Sequence, residues 1–307
     1  MKSKKIIIGS RGSKLALIYA KRACSKILEI LSDFEIEEVE IKKIKTSGDI
    51  NQKDRLSDVG GKGLFLKQIE NELLEDKIDI AVHALKDMPS EETDGLLTNC
   101  FLERCDPREV LISKNNILFS KLSSNSVVGT SSFRREFQLK KIRKDLTYKL
   151  IRGNVDTRIK KLDEGLYDAI ILSYAGINSL GLEDKISQTF SISEIIPSAG
   201  QAVVALQCKK NNDIITELLQ RINHQPTHNC MLAERNVLKV LEGDCETAIG
   251  ATSSIKNNQI ILEAELFSLD GEQRFYHKAS KEIKSAALLG LEVGEILKKE
   301  SKNSYKK

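Results

Sequence analysis

The stretch Ile78–Pro89, IDIAVHALKDMP, decides how the first third of the chain is read. Its nearly continuous apolar run is the mark of a strand covered on both faces. Lys86 and Asp87 end that run, and Pro89, which has no N–H to donate, forbids further pairing. Upstream, Leu64 to Leu74 has helical spacing, and Glu37–Thr46, EEVEIKKIKT, alternates as a strand. Before these, Ser13 to Leu31 reads as a helix with Ser13 as its N-cap, and Lys5–Ile8 is a short apolar strand. The order β-α-β-α-β predicts an open α/β sheet.

Downstream of CDPRE the pattern repeats. Strands are expected at Val110–Ser113, Val127–Gly129, Tyr148–Ile151 and Ala169–Leu172, with helices over Ser132–Arg143 and Val155–Glu164. The apolar run AVVALQC (202–208) comes after this second unit and is placed to return to the first sheet. From about Pro226 the pattern becomes helix, two alternating strands (Ala248–Ile255 and Gln259–Phe267) and a final helix. The fold class is therefore α/β: two lobes around a cleft plus a small C-terminal α+β domain. The expected division is 1–102 with 202–221, then 106–197, then 225–307. Two lobes joined by paired crossings bind small ligands by closing. The glycine-punctuated Gly48–Gly63 is read either as a lid over that cleft or as an ordinary surface loop.

The 48 basic and 44 acidic residues leave a formal net charge of +4, too little for a general nucleic-acid field, and aromatics make up only 5%. The opening MKSKKIIIG has an apolar run too short for a signal or a membrane span, so a cytoplasmic protein with reduced thiols is expected. Arginine is the informative residue. There are 13, and seven lie between Arg104 and Arg158. Arginine suits bidentate carboxylate recognition, whereas lysine is the usual solvated cation.

Three strand-to-helix turns carry these arginines. GTSSFRRE (129–136) offers Thr130, Ser131 and Ser132 at a helix start, followed by Arg134 and Arg135. Two cations in a first turn oppose the helix dipole, so an anion is expected there. IRGNVDTRIKKL (151–162) places Arg152 before a glycine turn and Arg158 in the next helix, and GSRGSKLAL (9–17) places Arg11 before Ser13. Together they predict a polyanionic ligand. Asp87, at the mouth of this cleft, is read as general acid or base, as a stabiliser of developing positive charge, or as a salt-bridge partner of Lys86. His83 reads as a satisfied core histidine. His224, His228 and Cys230 do not complete a tetrahedral set, so no metal is expected. Cys245 stands between Asp244 and Glu246, and flanking carboxylates disfavour a thiolate, so it suits a thiol that reacts once.

SRGSKLAL, KTSGD, VGGKGLF, IDIAVHALKDMP, DPRE, GTSSFRR, LIRGNVDTR, DAIILSYAGI and GDCETAIG, taken in order, resemble the porphobilinogen deaminase (hydroxymethylbilane synthase) family. The resemblance implies two lobes like those of periplasmic binding proteins and a third domain bearing a cysteine. It implies a transferase of tetrapyrrole and heme biosynthesis that adds porphobilinogen units to a dipyrromethane cofactor. That cofactor is bound by a thioether, and the matching position is Cys245. Asp87 matches the catalytic aspartate, a role suited to a buried carboxylate. Arg134 and Arg135, helped by Lys86, Thr130 and Ser132, match positions that hold cofactor carboxylates. Arg11, Ser13, Arg152 and Arg158 match positions serving incoming substrate and the growing chain. Lys62 and Phe65 match the base of a mobile loop.

Asp58, Ala84 and Ser179 stand where the family often has lysine, serine and arginine, which bears on substrate affinity and later elongation steps. The resemblance further implies a cytoplasmic monomer, with no nucleic acid or membrane, and a possible transient handover of product to the next enzyme. The competing reading is a non-catalytic two-lobed small-anion binding protein, which would need neither Asp87 nor Cys245.

Overall fold

The computed structural model describes residues 5–46, 66–243 and 247–306. In chain order the first elements are β1 (Lys5–Arg11), α1 (Lys14–Leu28), β2 (Glu38–Ile44), α2 (Lys67–Leu74), β3 (Ile80–Ala84) and β4 (Leu96–Phe101). Next come β5 (Glu109–Ser113), β6 (Val127–Gly129), α3 (Phe133–Ile142), β7 (Thr147–Lys149), α4 (Val155–Asp163), β8 (Ala169–Ser173), α5 (Tyr174–Ser179) and β9 (Gln188–Thr189). The chain continues through β10 (Val204–Lys209) and α6 (Asp213–Ile222) to α7 (Gln225–Leu241), β11 (Ile249–Lys256), β12 (Gln259–Phe267), β13 (Arg274–Glu282) and α8 (Ala286–Ser301).

Two five-stranded mixed sheets share one plan. The first runs β2-β1-β3-β10-β4 and the second β7-β6-β8-β5-β9. In each, three parallel strands are followed by one antiparallel strand, and that strand is supplied across the lobe boundary. β10 comes back from the second lobe to pair with β3 and β4, while β5 enters the second lobe to pair with β8 and β9. Each sheet is covered on both faces. Ile6, Ala20, Ala23, Ile27 and Leu206 pack on one side of the first sheet, and Ile44, Ile69, Leu73 and Leu96 on the other. In the second lobe Leu111, Val128, Leu139 and Phe190 oppose Val110, Ile159, Ile170 and Leu172. This double burial is why β3 and β8 read as continuous apolar runs.

The C-terminal unit is a three-stranded antiparallel sheet, β11-β12-β13, under the α7–α8 pair. The helices cross closely at Gly290, where a Cβ would fall 2.1 Å from the Ala233 carbonyl oxygen. β13 is absent from the sequence reading. Its segment RFYHKASKE alternates between exposed and half-buried positions, with only Phe275 and Ala279 packing on the core, so no apolar period announces it. β4 and the two-residue β9 are likewise unannounced, and the strand expected over Tyr148–Ile151 is Thr147–Lys149.

The core of this unit runs on into the first lobe, joining Leu85, Met88, Ala199 and Val203 to Met231, Val237 and Ile249. A buried ion pair pins the same junction. Arg104 Nη1 lies 2.5 Å from Glu234 Oε1, and Glu234 also accepts from Gly200 N at 2.9 Å and Ser253 N at 2.7 Å. Gly200 is required there: its φ is +72°, and a Cβ would sit 2.7 Å from Leu85 Cγ.

Candidate active site

The site forms where the parallel strands of both lobes end. β3 gives way to a single 3-10 turn, Leu85–Asp87. Leu85 stays fully buried, Lys86 is half-buried and Asp87 is exposed. This corrects the expectation of a buried catalytic carboxylate: the extra turn carries Asp87 past the shelter of the sheet to the cleft mouth. Lys86 Nζ donates to Gln201 Oε1 at 3.4 Å. Burial, then the charge of Arg135, pulls the Lys86 ammonium down to about 8, against the opposing influence of Asp87 and Glu109.

Facing them, α3 starts at Ser132, whose hydroxyl accepts from Arg135 N at 3.4 Å. Thr130 Oγ1, 3% exposed, accepts from Ser132 N at 3.2 Å. The arginines that follow are not solvated first-turn cations. Arg134 and Arg135 are both buried, and Glu109, itself 0% exposed, lies between them. Arg134 Nη2 donates to Glu109 Oε1 and Arg135 Nη2 to Oε2, each at 2.7 Å. Arg134 Nη1 also reaches the Ile196 carbonyl at 2.7 Å, and Arg135 Nη1 the Ile171 carbonyl at 3.2 Å.

Burial would raise the Glu109 carboxyl, but Arg135 and Arg134 outweigh it and hold it at about 2. The anion expected at this helix start is thus partly internal. Sequence reasoning passed over Glu109. Its signals were its place as the last residue of DPRE (106–109) and as an acidic residue opening the otherwise apolar strand EVLIS.

The cluster keeps binding capacity beyond this clamp. Arg134, Arg135 and Lys86 set three cations against two carboxylates, the buried Glu109 and the exposed Asp87, and Arg135 Nε is buried without a partner. A ligand bearing carboxylates fits that residue set. Arg158, half-buried on α4, donates from Nε to the Gly153 carbonyl at 2.8 Å. Burial, then the neighbouring charges of Arg135 and Arg152, lowers Arg158 to about 10, with Asp87 opposing. Arg152, Arg158, Lys86, Asp87 and the arginine pair therefore lie in one electrostatic cluster. Asn154 occupies the cap position of α4, though its side chain makes no capping bond.

Arg11 and Ser13 arrive from β1 and the start of α1, where Ser13 Oγ accepts from Ala16 N at 3.3 Å. With Tyr19, His83, Ala84 and Asp87 they line a cavity of about 70 Å³. Burial foremost, then Asp87, pushes the Tyr19 phenol up to about 12. Lys62, Phe65, Asp58 and Cys245 lie outside the described residues. Cys245 falls between the end of α7 at Leu241 and the start of β11 at Ile249. His224 and His228 serve locally, through Thr227 Oγ1 at 2.8 Å and the Asn99 carbonyl at 3.0 Å.

Residues 6–217 match the family described as porphobilinogen deaminase, dipyromethane cofactor binding domain, and residues 228–299 match the porphobilinogen deaminase C-terminal domain. The chain belongs to the porphobilinogen deaminase family. Among similar proteins, porphobilinogen deaminase of Staphylococcus epidermidis is 40% identical over 299 residues, covering 97% of this chain and 96% of that protein. That of Geobacillus kaustophilus is 41% identical over 271 residues, covering 88% and 87%. Among solved structures, the probable amino-acid ABC transporter extracellular-binding protein ytmK of Bacillus subtilis is 16% identical at TM-score 0.42, covering 72% of this chain and 92% of that one. The cluster around Glu109 lies within the region matched to this family's cofactor-binding domain. No helix among the described residues is long and apolar enough to cross a membrane.

Proposed function

We propose that this chain is a hydroxymethylbilane synthase. It condenses four porphobilinogen molecules, each with loss of ammonia, onto a dipyrromethane primer, and hydrolysis then releases the linear tetrapyrrole hydroxymethylbilane. The observation that carries the reading is the convergence of Lys86, Asp87, Arg134, Arg135 and Arg158 on one carboxylate-hungry cluster in the matched domain.

Arg134 and Arg135, with Lys86, Thr130 and Ser132, hold the carboxylates of the dipyrromethane. When bound, that group supplies the terminal pyrrole carbon to which the first unit is joined; later units join the free end of the growing chain. Arg11, Ser13, Arg152 and Arg158 hold the acetate and propionate of incoming substrate and of the growing chain. Asp87 accepts pyrrole N–H groups and stabilises the positive charge that develops as ammonia leaves, and its exposure at the mouth keeps it within reach of successive substrates. Cys245 is the thioether anchor.

The chain divides into units 1–102 with 202–221, 106–197 and 225–307. The two crossings that exchange β5 and β10 support a hinge between the first two units. We further take the protein to be a cytoplasmic monomer that hands its product transiently to the next enzyme.

Intact-mass measurement of the purified protein tests the reading. A dipyrromethane increment that disappears in Cys245→Ala, together with porphobilinogen consumption by the wild type, is the expected result. An unmodified, folded chain that consumes no porphobilinogen would leave the anion-binding alternative in its place.

A further inference from the structure

The cavity beside Asp87 contains a polar group with no part in the scheme above. His83 on β3 is 8% exposed and lines this cavity with Arg11, Ser13, Tyr19 and Asp87. Its Nε2 lies 3.2 Å from Gln207 Oε1 on the adjacent strand β10. Gln207 Nε2 donates to Glu70 Oε1 on α2 at 3.0 Å, and Thr93 Oγ1 donates to Glu70 Oε2 at 2.8 Å.

This run of bonds assigns the imidazole proton. A carboxylate only accepts, so Gln207 must turn its amide nitrogen to Glu70 and its oxygen to His83. An oxygen facing the ring requires the proton on Nε2, which leaves Nδ1 a bare acceptor. Among the described residues no hydrogen bond reaches Nδ1, and His83 is one of the residues that line the cavity. Burial, reinforced by the charge of Arg11, pushes His83 down to about 4, so the acceptor stays neutral at physiological pH. A histidine that only filled core space would need one partner. Here two further polar side chains, Gln207 and Glu70, are buried, with the half-buried Thr93 behind them, to hold one tautomer, an arrangement that is costly unless the ring's other edge is used.

The cavity thus sets a guanidinium at Arg11 against two acceptors, the Asp87 carboxylate and the His83 lone pair. A small molecule with an anionic group and N–H donors is complementary to it. We propose that His83 is a substrate-binding residue whose Nδ1 accepts a hydrogen bond from the aminomethyl ammonium of incoming porphobilinogen, and that Gln207, Glu70 and Thr93 are positioning residues that keep Nδ1 unprotonated. The inference rests on the function proposed above. A neutral acceptor suits a leaving group: a second carboxylate would grip the ammonium and oppose its departure as ammonia.

Only four histidines are present, so selective ¹⁵N-histidine labelling of the cofactor-loaded enzyme can resolve the His83 ring nitrogens. The expected spectrum shows Nε2 protonated and Nδ1 bare, with Nδ1 shifting toward a hydrogen-bonded value when porphobilinogen is added. In kinetics, His83→Gln keeps an amide near the Nε2 position but loses the acceptor at Nδ1. It should lower kcat/KM roughly tenfold, mainly through KM. His83→Asn, with a carbonyl near the Nδ1 position, should recover most of that loss.

A protonated Nδ1, or one unmoved by porphobilinogen in an enzyme that turns over, would overturn the proposal. So would a His83→Gln enzyme with wild-type kcat/KM. Absence of porphobilinogen consumption by the wild type would instead overturn the proposed function and this inference with it. The wild-type spectrum decides the matter even if neither variant folds.

Discussion

Glu109→Gln is the most informative single change at the arginine clamp. The carboxylate is 0% exposed and takes one 2.7 Å hydrogen bond from each of two buried guanidiniums. Glutamine keeps one oxygen for one arginine but turns an N–H₂ donor toward the other, leaving a buried cation against a donor. Removing one partner of a buried ion pair costs about 3–5 kcal/mol, mostly as the penalty of the charge left behind. At roughly 2–4 °C per kcal/mol for a domain of this size, Tm should fall by roughly 6–20 °C.

The acid limb has a definite sign. The folded Glu109 value of about 2 lies below the unfolded value of about 4.3, so its contribution is fully present above the unfolded value. It is lost as pH falls from there through about 2. Calorimetry of wild type and variant at neutral and acid pH checks both statements: the stability gap should be wide near neutrality and narrow in acid. A loss below about 1 kcal/mol at neutral pH, within the range of a surface pair, would refute the clamp as a buried, desolvated triad.

Asp87→Ala should fold normally, because the exposed side chain is not packed, while nearly abolishing porphobilinogen turnover; normal turnover would remove Asp87 from the chemistry. Lys86, ordinarily near 10.5 and pulled down to about 8, opposes folding by its buried charge below pH 8, and that cost is relieved as pH rises toward 10.5. The affinity of cofactor-free protein for citrate, followed by calorimetric titration, should accordingly fall as pH passes about 8, and Lys86→Met should remove that limb. Glu234→Ala leaves Arg104, the Gly200 N–H and the Ser253 N–H without their shared acceptor, and should cost about 3–5 kcal/mol in denaturant unfolding. A loss no larger than that of an exposed acidic residue would show that the junction is held by its apolar core alone.

Periodicity identified β3 and β8 because both are buried on two faces, and it placed α1 and α3 because Ser13 and Ser132 cap them. It failed at β13, whose half-buried alternation carries almost no apolar signal, and at β4 and β9, which exist because neighbouring strands offer them an open edge. The site divides in the same way. Arg11, Asp87, Arg134, Arg135, Arg152 and Arg158 stand at turns where α/β proteins bind anions, and turns are local in sequence. Glu109 and the chain Thr93–Glu70–Gln207–His83 are not local: Gln207 lies 124 residues from His83 and 137 from Glu70.

The sequence alone determined the α/β class, the two-lobed plan with a separate C-terminal unit, and the residue types that mark the family. Each of those depends on neighbours within a turn or a strand. Tertiary structure alone decided that the arginine pair is buried around an internal carboxylate, that Asp87 stands exposed, and that His83 lines the cavity while bonded to Gln207. Burial and long-range hydrogen bonding set those states, and both arise only when strands distant in the chain, β3 with β10 and β5 with β8, are brought side by side.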